Sequence, residues 1–156
     1  MTRGGRTGLA PAVGSGWAVR PAQSKASVSI ATERITAAHM LELALLAARR
    51  VDDTKARIQL GERSTSRTEF VVRDLVKGED AELMRFEALV ERAAGRTTAR
   101  TQILSYQTRD AGIGTLVPVV HRKLAGFSAY EEFMKVYARL AEGEDRRAWV
   151  SHNSGK

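Results

Sequence analysis

The stretch from which we predict the fold is AAHMLELALLAA, residues 37–48. It is apolar nearly all the way round a helix, because its large side chains do not keep to one face: Met40, Leu41, Leu43, Leu45 and Leu46. A helix of that kind is buried on several sides, either at the centre of a small domain or between subunits. We therefore predict a long helix over about 33–60, capped by Thr32 and ended by Gly61. Within it, we expect Met40, Leu41 and Leu45 to form subunit contacts together with Trp17.

Helical signals continue along the rest of the chain. Residues 66–69 and 128–131 both have the capping-box pattern, and a glycine follows most of the helically spaced apolar segments. The further helices predicted in this way begin near 66 and 80, cover 97–109 and 115–125, and end with one from 128 to about 142. We predict an all-α fold: a bundle of five or six helices (32–143) between a basic N-terminal arm (1–31) and a polar C-terminal tail (144–156).

The composition indicates an anionic partner. The net charge is +7, from 25 Lys and Arg against 18 Asp and Glu, and the isoelectric point is near 10.2. Such a surplus favours nucleic acid, an acidic lipid surface or an acidic protein. Arginine outnumbers lysine 19 to 6, which suits phosphate binding, although a GC-rich genome would also raise this ratio. The lack of cysteine and the scarcity of Asn and Gln are typical of a thermophile, or of a GC-rich mesophile.

The arm is the clearest functional signal in the sequence. The first 32 residues contain no Asp or Glu, and glycines and prolines prevent a regular helix. We predict that its cations contact phosphates and that its tryptophan anchors it: Arg3, Arg6, Arg20, Lys25 and Trp17. The arm lacks the apolar stretch of a secretory signal, while its Arg, Ser and Ala content fits a mitochondrial transit peptide. The alternation in SKASVSI (24–30) predicts a short extended piece.

Five further arginines are candidates for phosphate contacts: Arg49, Arg50, Arg92, Arg96 and Arg100. The first two close the apolar part of the long predicted helix. The last three recur every four residues, so on a continuous helix they would form a cationic ridge about 12 Å long. The alternative is a solvated helix face whose arginines pair with neighbouring acids such as Glu91.

No catalytic or metal site can be recognised in the sequence. The three histidines are scattered, and His39 with Glu42, three residues apart, has no further ligand nearby. Asp52 and Asp53 are adjacent, so on a helix they would point to different sides instead of forming an acid–base pair. No phosphate-binding glycine loop is present, and no apolar run is long enough to span a membrane. We expect no enzyme activity, no cofactor and no metal.

Two basic, glycine-containing segments of the arm, TRGGRTG (2–8) and GSGWAVR (14–20), precede the predicted helices. This layout resembles the major coat proteins of rod-shaped and filamentous archaeal viruses. The resemblance implies that the arm and the first helices wrap double-stranded DNA while the bundles face outward and tile a filament. The string RRVDD (49–53) also resembles a segment of tobamovirus coat proteins, but its surroundings and its place in the chain differ, so we treat it as coincidence.

The hypothesis from the sequence is a structural nucleoprotein: a capsid or filament coat subunit that binds nucleic acid, DNA more than RNA, non-specifically through phosphates. Its partners would be nucleic acid and copies of itself, and its location would be the virion or otherwise the inside of a cell. One alternative is a non-catalytic helical accessory subunit of a larger complex, such as a mitochondrial complex or a CRISPR effector. A second is a small helical enzyme or regulator with a concave pocket.

Overall fold

The computed structural model describes residues 21–76, 81–109 and 123–155. Over these residues the predicted all-α bundle is wrong, because the chain forms a six-stranded antiparallel β-sheet with two helices on one face. After a short 3₁₀ helix, Ala22–Lys25, the elements are β1 (Ser27–Thr32), α1 (Ala37–Arg50), β2 (Ala56–Arg63), β3 (Arg67–Asp74), β4 (Glu82–Ala93), β5 (Arg96–Tyr106), β6 (Thr108–Arg109), β7 (Lys123–Leu124), α2 (Phe127–Glu144) and β8 (Trp149–Asn153).

The sheet has six strands in the order β2-β3-β4-β5-β1-β8, and β6 and β7 form a separate pair. Every neighbouring pair of strands is antiparallel. Strands β2 to β5 follow one another as a meander, while β1 and β8 join from the two ends of the described chain. The end of the predicted arm and the predicted polar tail therefore contribute adjacent strands, with Ala31 paired to Trp149.

The hairpin of β4 and β5 shows why helical spacing was misleading. Alternate residues of β4 are buried: Met84, Phe86, Ala88 and Val90. Leu83 and Leu89 are also apolar, so a helix-spaced subset of apolar residues exists beside the strand alternation. The strands turn at Ala94 and Gly95, whose φ values of 55° and 77° fit a two-residue type I′ turn. Gly95, one of the glycines that follow helically spaced apolar segments, therefore lies in a hairpin turn and not at the end of a helix.

Two of the predicted helices exist with different bounds. α1 begins after Thr36, whose hydroxyl accepts the amide of His39 at 3.1 Å, and it ends at Arg50. α2 begins after Gly126, before the predicted capping box at 128–131. The other box, at 66–69, falls at the start of β3, and the predicted helix over 97–109 is β5 and β6. The starts of the helices predicted from 80 and from 115 lie outside the described residues.

Aromatic side chains fill the space between the helices and the sheet. Phe133 of α2 packs against Phe86 of β4 and Phe70 of β3, with ring centroids 4.8 and 5.2 Å apart. The buried hydroxyl of Tyr130 donates a hydrogen bond to the carbonyl of Ala26 at 2.7 Å, and burial raises the pKa of this phenol. Because packing closes this face, polar side chains concentrate on the opposite face of the sheet and at the ends of the strands.

Candidate functional site

An open cleft of 330 Å³ lies at one end of the sheet, where three connections of the chain meet. The connection from β1 to α1 brings Arg34, the β4–β5 hairpin brings Arg96, and the connection from α2 to β8 brings Arg147. Trp149, the first residue of β8, also lines the cleft and is 67% exposed. Since these residues are far apart in the sequence, only the pairing of β1 with β5 and β8 assembles the site.

A hydrogen-bonded carboxylate holds two of these connections together. The hydroxyl of Thr32 donates to Oδ2 of Asp145 at 2.5 Å, and the amide of Arg147 donates to Oδ1 at 2.9 Å. The Thr32 oxygen in turn accepts the amides of Arg34 and Ile35 at 3.1 and 3.3 Å. These hydrogen bonds, that of Thr32 foremost, lower the pKa of Asp145 below its usual value of 3.8. The ionised carboxylate therefore fixes the backbone that carries Arg34 and Arg147.

The arginines of the cleft have no ion-pair partner in the described part of the chain. Arg34, Arg96 and Arg147 are exposed, and none lies within 4.0 Å of a described carboxylate oxygen. Two carboxylates also line the cleft: that of Glu33, and that of Asp145, both of whose oxygens accept hydrogen bonds from the protein. Three guanidinium groups thus face two carboxylates, which leaves the cleft cationic.

A second group of arginines, in the middle of the sheet, is paired. The group joins three carboxylates and two guanidinium groups across β3 and β4: Glu69, Glu82, Glu87, Arg67 and Arg85. Nε of Arg67 lies 2.8 Å from Glu87, and Arg85 bridges Glu69 at 3.2 Å and Glu82 at 2.9 Å. Hydrogen bonds to Glu69 and to Glu82, respectively, are the main cause of the raised pKa values of Arg67 and Arg85. The charge of these arginines is satisfied within the protein.

The predicted ridge of Arg92, Arg96 and Arg100 is not helical. Arg92 lies in β4, where its guanidinium donates to the hydroxyl of Thr97 at 2.6 Å and to the carbonyl of Gly95 at 3.4 Å. Arg96 and Arg100 lie in β5, an even number of residues apart, so both project from the face that the helices leave uncovered. At about 3.3 Å per residue they are separated by roughly 13 Å along the strand.

The other predicted phosphate contacts lie away from the cleft or outside the described residues. Lys25 ends the 3₁₀ helix, and Arg49 and Arg50 are the last residues of α1; all three are exposed. At a helix C-terminus, the two arginines also complement the helix dipole. The arm residues of this prediction fall outside the part of the chain that the structure describes: Arg3, Arg6, Arg20 and Trp17.

The residues predicted to contact a neighbouring subunit pack within their own chain. Met40 is 0% exposed and Leu41 is buried, both in the hydrophobic core. Leu45 is partly buried and packs against the same core. Because the apolar surface of Met40 and Leu41 is covered by their own chain, we do not assign these two side chains to a subunit interface, while the subunit contact of Leu45 stays a prediction.

The His39 pair is a surface contact between the helices. Nδ1 of His39 lies 3.1 Å from Glu42, and Nε2 lies 2.7 Å from Glu144 of α2. The hydrogen bond to Glu42 is the main cause of its raised pKa. The carboxylates approach opposite ring nitrogens, so they do not converge on one ion, and no group of three or more potential ligands among the described residues could hold a metal.

Of the adjacent pair Asp52 and Asp53, Asp53 accepts hydrogen bonds from the amide of Lys55 and the hydroxyl of Ser128.

Sequence reasoning missed four residues of the cleft: Arg34, Asp145, Arg147 and Trp149. The available signal was Trp149, the single aromatic residue of the segment read as a polar tail, directly after two arginines and an alanine. The sequence predicts that segment to be a polar tail, but its strand β8 lies next to β1 and brings the tryptophan to the cleft.

No helix among the described residues is both long enough and apolar enough to cross a lipid bilayer. Comparison of the sequence with protein-family models gives no match, and comparison with curated proteins gives none either. The resemblance to archaeal virus coat proteins therefore stays a prediction, and the helical bundle expected with it is not the fold of the described residues.

Proposed function

We propose that the protein binds nucleic acid non-specifically, with the cationic cleft at the end of the sheet as its contact to phosphates. The observation that carries this proposal is the convergence of Arg34, Arg96 and Arg147 from three separate segments: guanidinium groups outnumber the carboxylates of the cleft three to two, and none lies within 4.0 Å of a described carboxylate oxygen. Gathering like charges is unfavourable unless an anion joins them. Phosphate is the anion that suits several guanidinium groups at once, because each can donate two parallel hydrogen bonds.

The whole-chain charge supports the same partner. A net charge of +7 attracts a polyanion over a distance of about a Debye length, roughly 8–10 Å at physiological salt. Arg100 extends the cationic surface along β5 away from the cleft. Contacts of guanidinium groups to phosphates position a nucleic acid without reading its sequence. The proposed binding is therefore sequence-independent and salt-dependent. The coat role predicted from the sequence concerns assembly, and it remains a prediction beside this one.

Fluorescence anisotropy with a labelled oligonucleotide, titrated at several salt concentrations, tests this function. The test variant replaces Arg34, Arg96 and Arg147 with alanine. Because each lost phosphate contact lowers the salt slope by about 0.7–0.9, we expect the slope to fall by about 2–3 and the affinity to drop accordingly.

The matched control removes the same charge from other surfaces: Lys135→Ala, Arg139→Ala and Arg63→Ala, all exposed positions on α2 and β2. We expect this control to keep most of the affinity and of the salt slope. Equal losses in the two variants would mean that only the net charge matters and that the cleft is not the site. Salt-independent binding, or none, would overturn the proposed function itself.

A further inference from the structure

An exposed tryptophan is the feature of the cleft that charge does not explain. Trp149 is 67% exposed on an edge strand, although tryptophan has a large apolar surface that proteins usually bury or use for contacts. Its position is fixed by the sheet. Trp149 pairs with Ala31 of β1, and Ala31 pairs on its other side with Thr98 of β5. Ile30, next to Ala31, is in the core, so Ala31 and Trp149 share the uncovered face.

The row Trp149, Ala31 and Thr98 leaves space beside the indole. Ala31, which lies next to the tryptophan, is small, and so is Thr98 one strand further away, so the row places no bulky side chain beside the ring. Arg34, Arg96 and Arg147 line the same cleft. A flat aromatic surface bordered by guanidinium groups offers two contacts together: stacking for a base and hydrogen bonds for the phosphates that flank it.

A duplex cannot use both contacts. Its bases stack on each other and present only their edges in the grooves, so an indole on a sheet surface has no base face to contact unless a step is unstacked or a base is unpaired. Duplex readers instead place a helix or a two-stranded ribbon in a groove, whereas this site is a concave cleft at the end of a sheet. The arrangement is the combination of cationic groove and aromatic platform by which single strands are bound.

We infer that the cleft is a binding site for single-stranded nucleic acid, in which one base stacks on Trp149 while Arg34, Arg96 and Arg147 hold the adjacent phosphates. This inference rests on the proposed function, since it specifies which form of nucleic acid the cleft takes. Stacking requires no particular base, so the site keeps the lack of sequence preference proposed above.

The test compares Trp149→Ala with wild type on a labelled oligothymidine of about 20 nucleotides and on a mixed-sequence duplex of equal length. Stacking on an aromatic side chain contributes about 1–3 kcal/mol per base, so we expect the variant to bind the single strand roughly 5- to 150-fold more weakly. Duplex affinity should change little. Trp149→Phe should restore most of the single-strand affinity because it retains an aromatic face.

The control variant is Leu60→Ala, which removes an exposed apolar side chain from β2 at the opposite edge of the sheet. It should bind both oligonucleotides as the wild type does. In a Trp17→Phe background, the single strand should quench the emission of Trp149, which is then the only tryptophan.

Three outcomes would overturn the inference. Unchanged single-strand affinity in Trp149→Ala, or equal losses on single strand and duplex, would show that the indole does not stack on a base. If Trp149→Ala changed the sedimentation of the protein alone, without changing its oligonucleotide affinity, Trp149 would be a contact between copies of the protein. In each case a salt-dependent loss in the triple arginine variant would leave the proposed function standing. Failure of that variant to differ from its own control, or oligonucleotide binding that does not depend on salt, would remove both.

Discussion

Two groups of arginines differ in what the fold has placed around them. In the middle of the sheet, Arg67 and Arg85 lie among three carboxylates of β3 and β4. At the end of the sheet, Arg34, Arg96 and Arg147 line a cleft without an ion pair in the described chain. The first group carries its counter-charge in neighbouring strands, so its electrostatic energy contributes to the folded state. In the second group the guanidinium groups outnumber the two carboxylates of the cleft and form no described ion pair with them, so they are available to bind an anion from outside.

Breaking the paired group should give the largest change in stability. Glu87 is 4% exposed and accepts hydrogen bonds from Arg67 at 2.8 Å and from Gln102 at 2.5 Å. In Glu87→Gln one carboxylate oxygen is replaced by an amide NH₂ group, which is a donor and faces the donors of Arg67 or Gln102. Arg67 also loses one of its charged partners. We expect the free energy of unfolding to fall by about 1–3 kcal/mol, measured by urea denaturation.

We expect the opposite behaviour from an arginine that has no partner among the described residues. Arg100→Gln, on β5 beside the same group, should change the free energy of unfolding by no more than about 0.5 kcal/mol. Glu87→Gln should in turn leave oligonucleotide binding as it is in the wild type. If both substitutions destabilise the protein equally, the distinction between structural and binding arginines is wrong.

A smaller change in stability is expected from the hairpin turn beside the cleft. Ala94, in the turn that precedes Arg96, has a φ of 55°, a region that costs residues with a Cβ about 1–2 kcal/mol. Asparagine tolerates this conformation and is favoured at the first position of a type I′ turn. We expect Ala94→Asn to raise the free energy of unfolding by about 0.5–1 kcal/mol, with oligonucleotide affinity unchanged.

The contrasting substitution at this turn is Ala94→Val. A β-branched residue is poorly tolerated at positive φ, so this variant should be less stable than wild type in the same urea titration. If valine is neutral or asparagine is destabilising, the two residues between β4 and β5 do not adopt the left-handed conformation, and the position of Arg96 at the rim of the cleft needs revision.

The sequence was sufficient to predict part of the fold. The apolar run at 37–48 does form a helix, and the amphipathic segment after 127 forms α2, because both have sustained helical spacing. β4 was misread since ELMRFEALVERA consists largely of residues with high helix propensity, while its burial alternates with a period of two. Pairing with β3 and β5 overrides that local preference.

The site could be predicted only where local spacing suffices. Arg96 and Arg100 project from the same side in β5 because residues four apart share a face in a helix and in a strand alike. Arg34 and Arg147 could not be grouped in this way, since they meet through the pairing of β1 with β8, over a hundred residues apart in the sequence. One sequence carries no signal for such a pairing beyond the alternation within each strand.

The carboxylate of Asp145, which also lines the cleft, has an internal role that can be separated from the binding role of the arginines. The hydrogen bonds from Thr32 and from the amide of Arg147 lower the pKa of Asp145 relative to its usual value of 3.8. A carboxylate with a lowered pKa in the folded state adds stability that is fully present above the pKa of the unfolded state. That stability is lost as the pH falls through the lower pKa of the folded state.

Thermal unfolding followed by circular dichroism should therefore give the wild type a higher midpoint temperature than Asp145→Asn at about pH 6. We expect this difference in midpoint temperature to shrink as the pH falls below about 4. Asp53→Asn is a suitable control because its carboxylate also accepts a backbone amide and a hydroxyl, but away from the cleft. A difference for Asp145→Asn that stays constant over the whole pH range would mean that the charge of this carboxylate does not hold the two connections together. Arg34 and Arg147 would then owe their positions to the strand pairing alone.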